Sequence, residues 1–406
     1  MKRTAIIVGA SLAGGTAAVT LRSAGFDGRV VLIGAEPQPP YERPPLSKEY
    51  LRGEQPFEKS LVKPADHYAA NEIETRFGTT AERLDTAARE VVLAGGERIG
   101  YDQVLVATGC RNRMLRAPGA ELEGVHYLRT VADADRIRND MVAGRSAVVV
   151  GMGFIGAEVT ASLRASGLDV TAVEPFPAPL NRVLGPDVGA TLGALHADHG
   201  VTLVFEDVVE SFEGSSRVEA VTTKAGRRLP CDLVVAGVGV EPVADVVAGT
   251  DVAVENGILA DELCRTNVEG VFAAGDVANH VHPLYGRRMR VEHWQNAMRQ
   301  GAHAAKCMLG ETEPYADLHW FWSDQYDANV QYAGHHMAWD ELVVRGSLED
   351  RSFLAFYIKD GLVDAAVAMN RGKELRRAMA VIRARRPVEA AKLRDEDVDL
   401  KALASA

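Results

Sequence analysis

Cysteine is scarce in this sequence, and its spacing excludes two kinds of chemistry. The chain has 406 residues and only four cysteines, which are Cys110, Cys231, Cys264 and Cys307. No two of them form the C-x-x-C or C-x-x-x-x-C pair of a dithiol enzyme, and the spacing of a cysteine-based metal site is also missing. We therefore expect buried structural thiols and no metal site. A disulfide reductase of the usual kind is excluded, because it needs a dithiol.

Positive net charge and long apolar runs are lacking as well. The formal net charge of −11 argues against a nucleic-acid partner, and no apolar run approaches the ~20 residues that cross a bilayer. The apolar segment beginning at Thr4 leads directly into a glycine-rich turn, which predicts a strand rather than a signal peptide. We expect a cytoplasmic protein of two or three domains, without membrane or nucleic-acid partners.

Two glycine fingerprints are the main feature that is present. Residues 6–14 and 148–156 each predict a strand, a tight turn and the start of a helix, and a second apolar strand then ends on Glu36 or Glu174. In such a unit the glycines let a pyrophosphate approach, the helix N-terminus offers N–H groups, and the acid accepts from ribose hydroxyls. Two units imply two dinucleotides, most economically a bound flavin and a visiting nicotinamide. The predicted contacts are Gly9, Ser11, Leu12, Ala13 and Gly14, then Gly151, Gly153, Phe154, Ile155 and Gly156.

Further elements follow from apolar patterning and glycine turns. We expect a short strand that ends on Asp276 and a helix from about Trp294 to Leu309. Near the C-terminus we expect strands near residues 329–334, 341–347 and 353–358, a basic helix at 373–385 and a polar tail. The predicted domains are a discontinuous FAD-binding domain (1–112 and 242–317), an NADH-binding domain (113–241) and a C-terminal domain (318–406).

Several other segments carry a family resemblance. They are residues 41–48, 107–109, 275–276, 292–297 and 320–326. With the fingerprints, they make the chain resemble, over nearly its whole length, the NADH-dependent, FAD-containing ferredoxin reductases of bacterial oxygenase systems. The resemblance implies an α/β fold with two Rossmann-like, glutathione-reductase-like dinucleotide-binding domains and a C-terminal α+β domain. It also implies noncovalent FAD, NADH as cosubstrate, and a small iron–sulfur ferredoxin that supplies a monooxygenase or dioxygenase.

The resemblance also implies roles for individual residues around FAD. Glu36 is expected on the adenosine ribose, Arg43 on FAD phosphate or adenine, and Asp276 on the ribitol hydroxyls. The helix that begins at Trp294 is expected to direct its N-terminus at the flavin, where negative charge develops on reduction. Further cofactor contacts are expected at Ala107, Thr108, Gly109, Arg129, Glu292 and His293.

Three residues are implied as catalytic, namely Lys48, Glu158 and Trp322. Lys48 is expected beside the flavin ring, paired with Glu158, which is expected to open the helix after the second fingerprint. Trp322 is expected to form an aromatic wall next to the flavin.

Nicotinamide choice is assigned to Glu174, which accepts from the 2′-hydroxyl of NADH and repels the 2′-phosphate of NADPH. The nearest following arginine is Arg182, and both Arg182 and Gly239 are included among the expected nucleotide contacts.

An acidic ferredoxin is the expected partner, because two segments, residues 286–300 and 370–386, are locally basic. By resemblance they flank the flavin edge, and the candidate docking residues are Arg287, Arg288, Arg290, Arg376 and Arg377. A solvated basic helix face is the alternative interpretation of these charges. Two alternative functions are an NADH oxidase or peroxidase-like enzyme, and an NADH-sensing interaction protein similar to apoptosis-inducing factor. Residues 37–63 hold no cysteine, which argues against the first alternative.

Overall fold

The computed structural model describes residues 3–405, which divide into two compact units. Unit 1 contains the described residues up to Glu42, then Phe57–Arg111 and Val240–His319. Unit 2 contains Arg43–Pro56, Asn112–Gly239 and the described residues from Trp320 onward. The three-domain division predicted from the sequence stays a prediction.

Unit 1 is built on a five-stranded parallel sheet. Its strands, in order across the sheet, are Val271–Ala273, Gln103–Val106, Thr4–Val8, Arg29–Gly34 and Ile73–Phe77. The central strands are continuous apolar runs, as expected where both faces of a parallel sheet are covered. Helix Leu12–Ser23 follows the first strand and packs against helix Trp294–Met308. That packing is close, because a Cβ on Gly301 would lie 2.3 Å from the carbonyl oxygen of Ala13.

Two smaller sheets and a short helix, Ala65–Ala70, complete unit 1. One sheet is antiparallel and consists of Ala81–Asp85, Glu90–Leu93 and Arg98–Gly100. The other is mixed and consists of Ile258–Ala260, Ala278–His282 and Arg287–Arg290. Two short strands, Cys110–Asn112 and Val240–Pro242, occur in the sequence where the chain passes from one unit to the other.

Unit 2 repeats the parallel-sheet plan. Its five parallel strands, in order across the sheet, are Thr202–Phe205, Asp169–Glu174, Ser146–Val150, Leu233–Ala236 and Val125–Tyr127. Its helices are Val131–Ala143, Phe154–Ala165 and Asn181–Asp198. The last of these is kinked at Gly185, which has a φ of +78° and precedes Pro186. A small antiparallel sheet consists of Val209–Glu213, Ala220–Thr223 and Arg228–Pro230.

The C-terminal part of unit 2 is a five-stranded antiparallel sheet with a helix. Across the sheet the strands are Trp320–Gln325, Ala328–Gly334, Leu362–Met369, Ser352–Lys359 and Glu341–Ser347. Helix Gly372–Ala384 buries one face against this sheet, and the short helices Ala390–Arg394 and Leu400–Ser405 follow.

The predicted C-terminal strands and basic helix are therefore confirmed within a few residues. The strand Leu362–Met369 was not predicted, because it is an almost continuous apolar run without alternation. Among residues 3–405, no helix combines the length and apolar character that crossing a membrane requires.

Candidate functional site

The first fingerprint forms a turn that only glycine can occupy at two positions. Gly9 has a φ of +111°, and a Cβ there would lie 2.2 Å from the carbonyl oxygen of Ala107. A Cβ on Gly14 would lie 1.8 Å from the carbonyl oxygen of Gly9. Ser11 is the N-cap residue of helix Leu12–Ser23, yet its side chain makes no capping hydrogen bond. Its first-turn N–H groups therefore suit an anionic ligand such as a pyrophosphate.

The acid after the first fingerprint stands just beyond the second strand of this unit. Glu36 is half-buried and accepts a hydrogen bond from the hydroxyl of Tyr41. A carboxylate has capacity for further donors, such as ribose hydroxyls. Both the fingerprint turn and Glu36 are therefore suited to an adenosine dinucleotide.

The second fingerprint repeats this geometry in unit 2. Gly151 has a φ of +90°, and a Cβ on Gly156 would lie 1.9 Å from the carbonyl oxygen of Gly151. Gly153 is the N-cap residue of helix Phe154–Ala165, and a Cβ there would meet no described atom within 4 Å. Open space in front of this glycine leaves room for a phosphate to approach the backbone. Two dinucleotide-binding turns thus occur in one chain.

Glu174 accepts hydrogen bonds from the backbone, which the sequence pattern did not predict. Its side chain is buried and accepts from the backbone N–H of Met152 at 2.5 Å and of Phe176 at 3.2 Å. Burial raises the pKa of Glu174, whereas the two backbone hydrogen bonds and the charge of Arg182 oppose that rise. The carboxylate therefore links the strand end to the fingerprint turn. Its predicted contact with the ribose stays a prediction.

Gly239 and Arg182 lie in the same unit as the second fingerprint. The guanidinium of Arg182 is 6.0 Å from the ring centre of Phe176, which lies two residues after Glu174. Gly239 has a φ of +99°, and its carbonyl accepts from the backbone N–H of Arg113 at 3.0 Å. Their roles at the nucleotide stay predictions.

The segment Ala107–Gly109 directly follows strand Gln103–Val106 in the parallel sheet of unit 1. Thr108 donates its hydroxyl to the carbonyl of Val243 at 2.5 Å, and Val243 donates its N–H to the carbonyl of Gly109 at 2.9 Å. These bonds join the segment to Val243, while the carbonyl of Ala107 lies against Gly9 of the first fingerprint turn.

The expectation that Asp276 ends a strand is wrong in detail. The strand stops at Ala273, and Asp276 lies in the 3₁₀ turn Gly275–Val277, because Gly275 adopts a φ of +78° and turns the chain. The N–H of Gly275 donates to the side chain of Gln300 at 2.9 Å. This turn is therefore attached to helix Trp294–Met308 of the same unit.

That helix begins where the sequence predicts. His293 is its N-cap residue, and Trp294 is its first residue. Burial raises the pKa of Glu42, and a hydrogen bond with the Trp294 side chain opposes the rise. Glu292 forms an ion pair with Arg290 at 2.6 Å. The side chain of His293 makes no capping hydrogen bond to this helix.

The buried polar cluster of unit 2 is centred on the carboxylate of Glu158. Lys48 donates its ammonium to this carboxylate at 2.8 Å, and the two side chains are only 6% and 5% exposed. Ser47 donates to the same oxygen, and Ser323 donates to the other oxygen at 2.8 Å. Three donors from two distant chain segments therefore hold one ionised acid in a buried place.

The position of Glu158 corrects one expectation. It does not open its helix but is the fifth residue of Phe154–Ala165, so its side chain projects from the second turn into the buried face. Ser47 and Ser323 were missed, although each is a polar residue in one of the segments that carry the family resemblance.

Trp322 lies on one face of strand Trp320–Gln325. It is stacked on Trp320, with ring centres 5.4 Å apart and planes inclined by 23°. The intervening Phe321 and the following Ser323 point to the other, buried face, as the two-residue period of a strand requires. The strand thus presents a half-buried aromatic face and the hydroxyl that reaches Glu158.

Arg43 and Arg129 are brought together in unit 2. The guanidinium of Arg43 donates to the backbone carbonyl of Arg129. The N–H of Arg129 donates to Asp133 at 3.0 Å, within the capping box of helix Val131–Ala143. Their expected contacts with FAD stay predictions.

The four cysteines are buried and form no disulfide, as expected for structural thiols. Burial raises the pKa of Cys231 to about 12 and that of Cys307 to about 11. Neither forms the thiolate that nucleophilic or redox chemistry needs near neutral pH.

The candidate docking arginines differ in their surroundings. Arg290 is held inside unit 1, where it pairs with Glu292 and donates to the carbonyl of Asp276 at 3.2 Å. Arg287 is half-buried, and Arg288 is exposed although it donates to the carbonyl of Ala260 at 2.8 Å. Arg376 and Arg377 are exposed on helix Gly372–Ala384.

Comparisons with known proteins agree with this geometry. Residues 3–301 match the family model of pyridine nucleotide-disulphide oxidoreductases, and residues 320–404 match the reductase C-terminal family. The chain is 38% identical to rhodocoxin reductase of Rhodococcus erythropolis, over 98% of this chain and 93% of that protein. It is 36% identical to putidaredoxin reductase of Pseudomonas putida, over 99% of this chain and 96% of that protein.

Solved structures lead to the same family of folds. The ferredoxin reductase for the CYP199A2 system from Rhodopseudomonas palustris superposes with a TM-score of 0.95 at 36% identity and covers 99% of both chains. The reductase in the covalent putidaredoxin reductase–putidaredoxin complex gives a TM-score of 0.96 at 35% identity, over 99% of this chain and 98% of that chain. The predicted fold class is therefore confirmed.

Proposed function

Because the chain belongs to the pyridine nucleotide-disulphide oxidoreductase family, we propose that it passes electrons from NADH through FAD to a small iron–sulfur ferredoxin. The observation that carries the proposal is the pair of dinucleotide-binding turns, one in each unit, in a chain whose four cysteines are buried and form no disulfide. The family implies FAD and NAD(H). Without a dithiol, the electrons need an acceptor outside the chain.

The names of the relatives support ferredoxin as that acceptor. They are reductases for rhodocoxin and for putidaredoxin, and a ferredoxin–NAD⁺ reductase component of an anthranilate 1,2-dioxygenase system. We extend this to the present chain and propose that its ferredoxin supplies a monooxygenase or dioxygenase. A cytoplasmic location, which free cysteines favour, belongs to the same proposal.

FAD, when bound, supplies the ability to accept a hydride and to release electrons singly. The chain contributes binding and electrostatics. The two fingerprint turns bind pyrophosphates through helix N–H groups, and Glu174 orients the nicotinamide nucleotide through its adenosine ribose. Lys48 contributes a fixed positive charge, and the Trp322 face excludes water.

A rapid-mixing experiment tests the proposal. We expect NADH to reduce putidaredoxin or rhodocoxin through the FAD-loaded protein at a rate of several per second or more, as is common for enzymes. Under the same anaerobic conditions, protein without added ferredoxin should consume only the NADH needed to reduce its own flavin. Turnover with oxygen or peroxide but not with either ferredoxin would favour the oxidase alternative, and slow turnover with every acceptor would favour the NADH-sensing alternative.

We predict that the FAD is held without a covalent bond. The first fingerprint and Asp276 offer noncovalent contacts, and the segment from Arg43 to Lys48 has no histidine or cysteine for a flavin link. Acid precipitation should therefore release all of the flavin into the supernatant as FAD. Flavin that stays in the pellet would contradict the noncovalent claim, and released FMN would contradict the dinucleotide claim.

The acidic-partner proposal rests on the exposed side of helix Gly372–Ala384. Its acid, Glu374, is already engaged by Arg345 at 3.0 Å and by Arg371 at 3.3 Å. The exposed basic side chains of this segment are Lys373, Arg376, Arg377, Arg383 and Arg386. A surface of one sign accelerates association with a partner of the opposite sign, and salt weakens that effect.

We expect the apparent KM for ferredoxin to rise several-fold between low and physiological ionic strength. Arg376→Glu and Arg288→Glu should each raise the KM at low salt in the same way, whereas ferricyanide reduction should change far less. Arg228→Glu, a charge reversal at an exposed arginine outside the two basic segments, is the matched control. A ferredoxin KM that is indifferent to salt and to both reversals would assign docking to another surface.

A further inference from the structure

Three fully buried histidines converge in unit 1. His280 and His282 lie two residues apart on strand Ala278–His282, so both side chains point to the same face. His319 closes unit 1 and comes to the same place. The three side chains are 0%, 0% and 1% exposed, and each offers a nitrogen within 4.8 Å of the others.

The hydrogen bonding of His282 fixes which of its nitrogens carries a lone pair. Its Nε2 lies 3.0 Å from the backbone carbonyl of Asp317, and because a carbonyl only accepts, Nε2 must hold the proton. Nδ1 is then the basic nitrogen, and it has no hydrogen-bond partner among the described residues. A carbonyl that orients the far nitrogen of a histidine is the usual support of a metal ligand. A buried acceptor without a donor is costly unless an ion or water satisfies it.

A methionine sulfur, which is a soft metal ligand, lies beside the three histidines. Sδ of Met289 lies 3.1 Å from Nε2 of His319, and Met289 is itself buried. Thioether sulfur prefers soft cations such as Cu⁺, whereas imidazole accepts several late transition metals.

The local charge favours a monovalent ion. Within the described residues the cluster contains no carboxylate, since Asp317 contributes its carbonyl here and its carboxylate pairs with Arg299. Burying one positive charge without an anionic ligand costs less than burying two.

We propose that His280, His282 and His319, with Met289 at the edge, bind one Cu⁺ ion. The nitrogens need to close by up to about 1.5 Å to reach metal–nitrogen bonds of about 2 Å. Tyr315, which is itself buried, packs beside the cluster with its ring centre 5.7 Å from that of His280. The expectation of no metal site came from cysteine spacing, which carries no information about histidines that only the fold brings together.

The test uses the full-length, FAD-loaded protein. It is incubated anaerobically with Cu⁺ alone, or with Zn²⁺ alone, in the presence of a chromophoric chelator that competes for the metal, and it is then desalted. We expect about one retained Cu⁺ per chain, markedly weaker retention of Zn²⁺, and an X-ray absorption spectrum dominated by nitrogen ligands. Metal binding should also raise the unfolding temperature, because a ligand that binds only the folded state stabilises it.

Histidine variants make the test specific. His319→Asn should weaken Cu⁺ binding by about 100-fold or more while the four cysteines stay in place. His196→Asn is the matched control, because His196 is equally buried but has Tyr326 and Gln325 as hydrogen-bond partners of its two ring nitrogens.

Three results would overturn the proposal. They are no retained Cu⁺ in the wild-type protein, a sulfur-only spectrum that assigns the ion to cysteines, and tighter binding of Zn²⁺ than of Cu⁺. Undiminished Cu⁺ binding by a folded His319→Asn variant would do the same. If the His319→Asn variant does not bind FAD, the wild-type protein still tests the proposal, through the number of Cu⁺ ions retained per chain and the number of nitrogen ligands in the X-ray absorption spectrum.

Discussion

Replacing Lys48 with methionine is expected to slow reduction of the flavin by NADH by roughly 10²-fold, which is the typical effect of removing one preorganised electrostatic contact. Binding of NADH should change much less. Stopped-flow absorbance at the flavin band measures both quantities, since the observed rate saturates with NADH concentration. The half-saturating concentration then reports binding, and the limiting rate reports the reduction step.

The physical reason lies in the buried cluster around Glu158. The ammonium of Lys48 and the carboxylate of Glu158 are almost fully buried and 2.8 Å apart. A charge held in this way is fixed in position and little screened, so it acts strongly on charge that develops nearby. By resemblance the charge acts on the flavin ring, where reduction adds negative charge.

A second variant separates this electrostatic effect from loss of stability. Lys48→Met leaves Glu158 buried with only the hydroxyls of Ser47 and Ser323 as donors. Removing one partner of a buried pair costs about 3–5 kcal/mol of stability. The double variant Lys48→Met/Glu158→Gln removes both charges; its amide oxygen accepts from one serine hydroxyl, and its NH2 group can donate to the hydroxyl oxygen of the other. Compared with Lys48→Met, the double variant should recover most of the lost stability, but flavin reduction should stay as slow.

Ser323→Ala tests whether the cluster acts as a unit. The variant removes the donor to Oε1 of Glu158 but leaves the ion pair in place. We expect a smaller decrease in the limiting rate than for Lys48→Met, with unchanged FAD content. A normal limiting rate of flavin reduction in Lys48→Met would refute the placement of Lys48 beside the flavin ring.

The fingerprint turns could be predicted from the sequence because their information is local. A glycine with positive φ, a second glycine five residues later and an apolar strand on each side specify the turn without reference to distant residues. The helix that begins at Trp294 and the C-terminal alternating strands are also local patterns, and they were predicted within a few residues.

The polar clusters could not be predicted in the same way. Ser323 and Glu158 are 165 residues apart, and only the packing of strand Trp320–Gln325 against helix Phe154–Ala165 brings them together. His319 and His282 are likewise distant in sequence. The hydrogen bond from the Met152 N–H to Glu174 could not be predicted from the sequence for another reason. The pattern reveals an acid at a strand end, but it does not reveal that the fingerprint turn itself donates to that acid.

The second large effect is expected at Glu174. Replacing it with serine should narrow the preference for NADH over NADPH by ~2–4 kcal/mol, which is about 30-fold to 10³-fold in the ratio of the two kcat/KM values. The reason is repulsion between a buried carboxylate and the 2′-phosphate of NADPH. Steady-state kinetics with both nucleotides and a fixed artificial acceptor such as ferricyanide measure the ratio directly.

Glu174→Gln is the control that the structure supplies. Serine removes the acceptor of the Met152 N–H and should cost about 1–3 kcal/mol of stability. Glutamine removes the charge and keeps one carbonyl oxygen that can accept from the Met152 N–H, whereas its NH2 group cannot accept from the Phe176 N–H. If charge selects the nucleotide, both variants narrow the preference for NADH, and the serine variant lowers the denaturation midpoint more than the glutamine variant does, because serine cannot reach either N–H group.

The pH dependence gives an independent check with a definite sign. Burial raises the pKa of Glu174 above its ordinary value of 4.5. As pH falls through this raised pKa, the carboxyl takes up a proton and the repulsion of NADPH is lost. The wild-type preference should therefore begin to decline at a higher pH than an ordinary glutamate would cause. The 2′-phosphate itself takes up a proton near pH 6, and Glu174→Gln reports that contribution alone. A preference that is equally strong in the wild type and in Glu174→Gln at every pH would exclude Glu174 as the selector.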